Sequence, residues 1–135
     1  MHFEYRTEGE QYLSPLVPGT PSSNYWYGRI LGTASEDTPK DVQLYAEFMR
    51  ITPGVFGAGP PNDHEETGIV VKGELDLEDE TGQRATLHEG ETFFIKKGAI
   101  IKYSVKRFAL VFKASAYPAD PPKPTTQEGD KFRRF

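Results

Sequence analysis

Residues 59–82 read GPPNDHEETGIVVKGELDLEDETG. The second half decides the architecture. Ile69 to Val71 and Glu74 to Leu77 flank Gly73, and short apolar runs rich in β-branched residues around a glycine predict two strands joined by a tight turn. The following EDETGQ, Glu78 to Gln83, predicts a hairpin turn in which Gly82 supplies the positive φ. The first half packs Asn62, Asp63, His64, Glu65 and Glu66 into consecutive positions before the strand. On an extended chain alternate side chains share a face, so His64 and Glu66 fall on one side, with Asn62 able to join them, and Asp63 and Glu65 fall on the other.

The same vocabulary extends outward. NYWYGRILG (Asn24 to Gly32) is aromatic and β-branched and predicts a strand. DVQLYAEFMRI (Asp41 to Ile51) alternates and stops at TPG (Thr52 to Gly54), which favours a strand over a helix. Its register stays open: either Arg50 and Phe48, or Met49, Glu47 and Tyr45, face inward. RATLHEG (84–90) predicts a short strand and turn. ETFFIKKGAIIKYSV (91–105) predicts two strands broken at Gly98, and FALVFKAS (108–115) a final apolar strand. Prolines recur in the segments 1–24 and 116–135, which read as extended arms. Eight or more short strands at intervals of roughly 8–12 residues, with no long helix, point to an all-β antiparallel sandwich or small barrel.

Composition bounds the function. The chain has 135 residues, which fits one domain, and no cysteine, which excludes disulfides, thiolate zinc sites and cysteine nucleophiles. Twenty acidic and 16 basic residues are mixed along the chain for a net charge of −4, so no basic stripe for nucleic acid is expected. The terminal KFRRF reads as a tail or a packing arm, not as a nucleic-acid contact. No apolar run approaches the roughly 18 residues that span a bilayer, and the first residues lack a secretory leader pattern, so a cytoplasmic protein with no membrane contact is expected. No glycine-rich phosphate loop opens a helix, so nucleotide binding by that route is unsupported.

Two spacings resemble a known family. Glu66, six residues and Gly73 match the end of the first cupin motif, G-x5-H-x-H-x3–4-E-x6-G. Gly90, five residues, Lys96, one residue and Gly98 match the second, G-x5-P-x-G-x2-H-x3-N. EETGIVVKGELDLEDETG and GETFFIKKGAIIKYS are most similar to the small cupins of the ethanolamine-utilisation (EutQ-like) type. The resemblance covers about Val42 to Ser115. It implies a jelly-roll β-barrel with core at about 25–115, a site inside the barrel mouth and a homodimer, to which aromatic residues of the arms (Phe3, Tyr5, Tyr12, Phe132, Phe135) are expected to contribute.

The departures from the family pattern shape the expected chemistry. The first-motif histidines fall at Pro60 and Asn62, or at Gly59 and Pro61, and the second-motif histidine and asparagine at Ile101 and Val105. Of the usual metal ligands only Glu66 is kept. A reduced site of His64, Glu66 and Asn62, with His88 or Asp63 added, gains no ligand from the second motif. No metal ligand and no cofactor are assigned. The expected catalytic groups are His64 and Glu66 for acid–base work, with Tyr103 or an inward Arg50 stabilising negative charge. His88, in the LHEGE turn, reads as exposed. Tyr103 faces inward with Ile101 and Val105 if the second motif keeps its usual orientation. The substrate-binding wall is expected from Asn62, the aromatic strand Tyr25, Trp26 and Tyr27, and the apolar residues Val70, Phe93, Ile95, Ile101, Phe108 and Phe112. An apolar, aromatic lining suits a small oxygenated molecule. The leading reading is a metal-independent cupin lyase or isomerase, a dehydratase or cyclase with a biosynthetic or catabolic role, acting on a small carbonyl-containing metabolite. The alternatives are a non-catalytic binding or scaffold cupin, and a metallo-cupin oxygenase or isomerase with a reduced ligand set.

Overall fold

The computed structural model describes residues 5, 17–18, 24–32 and 42–118. They contain ten strands and no helix: β1 (Val17–Pro18), β2 (Tyr25–Gly32), β3 (Val42–Ile51), β4 (Gly54–Gly57), β5 (Glu65–Gly73), β6 (Leu75–Asp79), β7 (Arg84–Leu87), β8 (Thr92–Ile95), β9 (Ile101–Val105) and β10 (Ala109–Pro118). One sheet runs β1-β2-β3-β10-β5-β8 and the other β4-β9-β6-β7, with every described pairing antiparallel. This is the expected all-β jelly roll.

The long strands β3 and β10 pair along their whole length, from Ala109 opposite Ile51 to Pro118 opposite Val42. On its other side β10 pairs with β5, with Ser115 opposite Glu66, and a bulge falls between Leu110 and Val111. β5 and β6 are the two strands expected around Gly73. Gly73 has φ 84°, and a Cβ there would run into the carbonyl oxygen of Phe108. Only glycine meets both conditions. β4 is a strand the sequence reading missed. Positive φ at Gly54 and Gly57 turns GVFG out of the line of β3, so that it pairs with β9 in the other sheet.

Between the sheets lies one apolar cluster: Met49, Ile51, Val70, Ala109 and Val111 from the first sheet, Leu75 and Val105 from the second. Ile51, Val70 and Leu75 are almost completely buried. Each contributes roughly 1.5–3 kcal/mol by leaving water. This cluster fixes the open register. Since Ile51 and Met49 face the core, alternation turns Glu47 and Tyr45 inward and sends Arg50 and Phe48 to the opposite face. Along β10, Val111, Lys113, Ser115 and Tyr117 point inward for the same reason. The space between the sheets is thus apolar toward one end and polar toward the other. Of the aromatic residues of the expected arms, Phe3, Tyr12, Phe132 and Phe135 lie outside the described residues, and Tyr5 is exposed.

Candidate active site

The polar end is built by the start of β5, the first half of β3, the last half of β10 and the middle of β9. Glu66 stands at its centre, 4% exposed. Its Oε2 lies 3.0 Å from Nε2 of His64, 3.2 Å from Oγ of Ser115 and 3.3 Å from Nζ of Lys113. Its Oε1 accepts from the hydroxyl of Tyr103 at 3.2 Å. A carboxylate offers about four acceptor positions, two on each oxygen; here Oε2 meets three donors and Oε1 one. Lys113 reaches a second buried carboxylate, Oε1 of Glu47, at 3.3 Å.

The shifts follow from the packing. Burial by itself would raise the Glu66 pKa, but the Lys113 charge and the His64 hydrogen bond outweigh it and hold the carboxyl well below the ordinary carboxylate range. Burial likewise acts to lower Lys113, and the charges of Glu66 and Glu47 overcome it and hold the ammonium protonated well above the ordinary range. For Tyr103 burial and the neighbouring Glu66 charge act together, pushing the phenol far up so that it stays a donor. At neutral pH the centre therefore holds an anion, a cation and a neutral hydroxyl in fixed states.

His64 is half of a second contact. Its Nδ1 lies 2.7 Å from Oδ1 of Asp63 while Nε2 faces Glu66, and its ring stacks on Tyr117 at 4.1 Å and 28°. Both nitrogens face carboxylate oxygens, and both contacts are hydrogen bonds only when both nitrogens carry protons. The pairing of His64 with Glu66 follows the expected alternation. Asp63 does not: the chain bends at residues 63 and 64 before β5 begins, which brings Asp63 back to the imidazole instead of out to water. Glu65, on the strand proper, is exposed.

The remaining candidates separate into two groups. Tyr25 and Tyr27 pack against the core, Tyr25 stacks on Phe56 at 4.1 Å, and Phe56 stacks on Tyr103 at 4.7 Å. An aromatic wall thus leads to the Glu66 cluster. Val70 and Ile95 are buried, Phe93 packs on the core, and Ile101 is half-buried. Asn62 is clamped by its backbone to the 98–99 turn, and its Nδ2 is buried with no hydrogen-bond partner. Four expected site residues lie elsewhere. Arg50 is exposed, its guanidinium 5.4 Å over the ring of Trp26, because both alternate with core-facing neighbours. Phe112 packs at 5.2 Å on Phe48 on that same outer face, and Phe108 sits in the β9–β10 turn, 38% exposed. His88 is exposed and pairs with Glu74 and Glu91.

Lys113, Ser115, Tyr117 and Phe56 escaped the sequence reading, while Glu47 faces inward in one of the two registers it left open. Lys113 had a signal: in FALVFKAS it alternates with Ala109 and Val111, so a core-facing register makes it an inward lysine. Its ammonium lies 3.3 Å from Oε2 of Glu66.

A divalent metal does not fit these residues. Among the described residues no three His, Asp or Glu side chains are placed to share one ion. Glu66 already meets four donors, and one of them is an ammonium beside which a second cation would stand.

No protein-family model matches the sequence, nor does any curated protein. Solved structures do. The EutQ protein of Clostridium difficile is 27% identical, over 76% of this chain and 68% of that one, with a TM-score of 0.59. A putative ethanolamine utilization protein Q of Salmonella typhimurium is 23% identical over 71% of each chain, TM-score 0.56. An RmlC-like cupin from Shewanella frigidimarina is 14% identical over 91% of this chain and 93% of that one, TM-score 0.61. The chain has the fold of a small cupin and resembles the EutQ type.

Proposed function

We propose that the chain is a metal-independent enzyme that moves a proton on a small carbonyl-containing compound, in an elimination, isomerisation or ring closure. The observation that carries this reading is the set of Glu66, Lys113 and His64, buried together at the polar end of the fold. Apolar residues of like volume would stabilise the fold as well or better, since desolvating charges costs several kcal/mol per ion. An imidazole beside a carboxylate and an ammonium that are both held charged is an arrangement suited to acid–base chemistry.

The roles follow from the geometry. His64 carries the proton. Glu66 is held too firmly as an anion, by Lys113 and the hydrogen bonds around it, to act as a base near neutrality. It anchors Nε2 and leaves Nδ1, on the side of half-buried Asp63, for exchange with a ligand that takes that aspartate's place. Tyr103 remains protonated and donates. Arg50, on the outer face, has no part.

The test requires no known substrate. The protein is incubated in D2O with a panel of small ketones and keto acids, and deuterium entering the carbon beside the carbonyl is followed by NMR. Enzyme-dependent incorporation that His64→Ala abolishes is the expected result. Binding without exchange across the panel would replace this reading by that of a non-catalytic binding cupin.

A further inference from the structure

His64 is the last residue before β5 and stands outside the strand ladder. The pairing of β5 with β10 ends where Ala116 faces Glu65, so Tyr117 stands opposite His64 one step beyond it. The imidazole is buried, and side chains set its direction. Asp63 at Nδ1 and Glu66 at Nε2 fix the line through the two nitrogens. They leave the ring free to rock about that line. The face of Tyr117, with centroids 4.1 Å apart and planes inclined by 28°, blocks that motion. Aromatic rings in contact attract beyond the area they bury, and a π face also attracts a protonated imidazole.

Tyr117 is itself backed. Tyr45, inward-facing on β3, meets its ring at 5.7 Å and 60°, and the Tyr45 hydroxyl donates to Oε1 of Gln43 at 2.7 Å. Opposite Tyr45 lies Gly32 of β2, where a Cβ would run into the Tyr45 ring. A glycine at the end of β2 thus makes room for that ring. β2, β3 and β10 contribute together to one aromatic stack that ends on His64.

We propose that Tyr117, backed by Tyr45, is a positioning residue for His64: its ring face holds the imidazole in the plane in which Nε2 meets Glu66 while Nδ1 exchanges a proton. This rests on the reading of His64 as proton carrier and adds what keeps it aimed. When a ligand takes the place of Asp63, one of the two hydrogen bonds goes, and the ring then depends on Glu66 and the stack.

The test observes His64 directly. In protein labelled with nitrogen-15 its ring N–H and ring-proton resonances are followed without substrate, and deuterium exchange into the carbonyl panel is measured on the same samples. Tyr117→Leu should speed the loss of the ring N–H protons to water. It should also lower the exchange rate roughly two- to ten-fold with KM little changed, the size of one aromatic contact. Tyr117→Phe keeps the ring face and should restore most of both. Gly32→Ala, whose new methyl meets Tyr45 and the Leu44 carbonyl, should disturb the His64 resonances in the same direction, and it decides where Tyr117→Leu does not fold. If Tyr117→Leu and Gly32→Ala leave the His64 resonances as in the wild type, or if Tyr117→Phe does as much damage as Tyr117→Leu, the inference fails. Resonances that respond as expected while no panel compound exchanges deuterium, even with the wild type, would sink the catalytic reading and leave the placement of His64 by Tyr117 standing.

Discussion

At the scale of single residues, Glu66 shows how far a motif carries. Its place was legible from the spacing to Gly73, and its pairing with His64 from alternation. Its contacts with the other three donors were not, because Tyr103, Lys113 and Ser115 lie 37 to 49 residues away on other strands. No local pattern specifies which of two faces a distant strand turns toward it. In the proposed reading Glu66 anchors the His64 imidazole and is not itself the base. Two measurements check this. Lys113→Met leaves two buried carboxylates without their cation and should cost about 3–5 kcal/mol of stability, read by urea denaturation. Adding Glu66→Gln should recover part of that loss, since the two residues share one contact. Additive losses would mean that the ammonium and Glu66 are not coupled. In the deuterium assay His64→Ala should lower exchange roughly 10²-fold or more. Asp63→Asn should also lower it, through lost orientation of the ring, while Glu65→Gln should match the wild type. Equal effects of Asp63→Asn and Glu65→Gln would contradict the bend at residues 63–64.

At the scale of elements, the strands around Gly73, the turn at Gly82 and the break at Gly98 were readable because turns write themselves in glycine. β4 was not. Four residues with two glycines carry too little pattern to register as a strand, and only the partner strand β9 makes them one. The register of β3 was undecidable for a related reason: both of its faces are apolar, with Met49 and Ile51 on one and Phe48 on the other. The second sheet settles it. The β5–β6 corner offers a direct test of the backbone argument. Gly73→Ala forces a side chain into a positive φ and against a backbone carbonyl, and should cost at least about 1 kcal/mol. Gly82→Ala also has positive φ but meets nothing within 4 Å, so it should cost less. The reverse order in thermal unfolding would show that the Phe108 turn yields more easily than its close approach suggests.

At the scale of the whole molecule, the polar end of the sandwich links stability to pH. Glu66 has its pKa lowered in the fold. It therefore contributes stability that is fully present above the unfolded value of about 4.5 and is lost progressively as pH falls below it. The fold binds fewer protons there than the unfolded chain, so acid favours unfolding. Lys113 and Tyr103 are raised, which places their effect at the other extreme: stability present below their unfolded values of 10.5 and 10.0 and lost as pH rises above them. Denaturation midpoints should therefore form a plateau across neutral pH with a fall on each side. Many carboxylates contribute to the acid limb of any protein, so the wild-type curve alone decides nothing. The decisive comparison is Glu66→Gln, which removes one titrating group and lowers the plateau. Its stability should approach the wild-type value as pH falls below 4.5, because the protonated wild type has lost the same interaction. If instead the two curves stay parallel into acid, Glu66 does not hold its charge in the fold. The anchor for His64 and the clamp on Lys113 would then both have to be reconsidered.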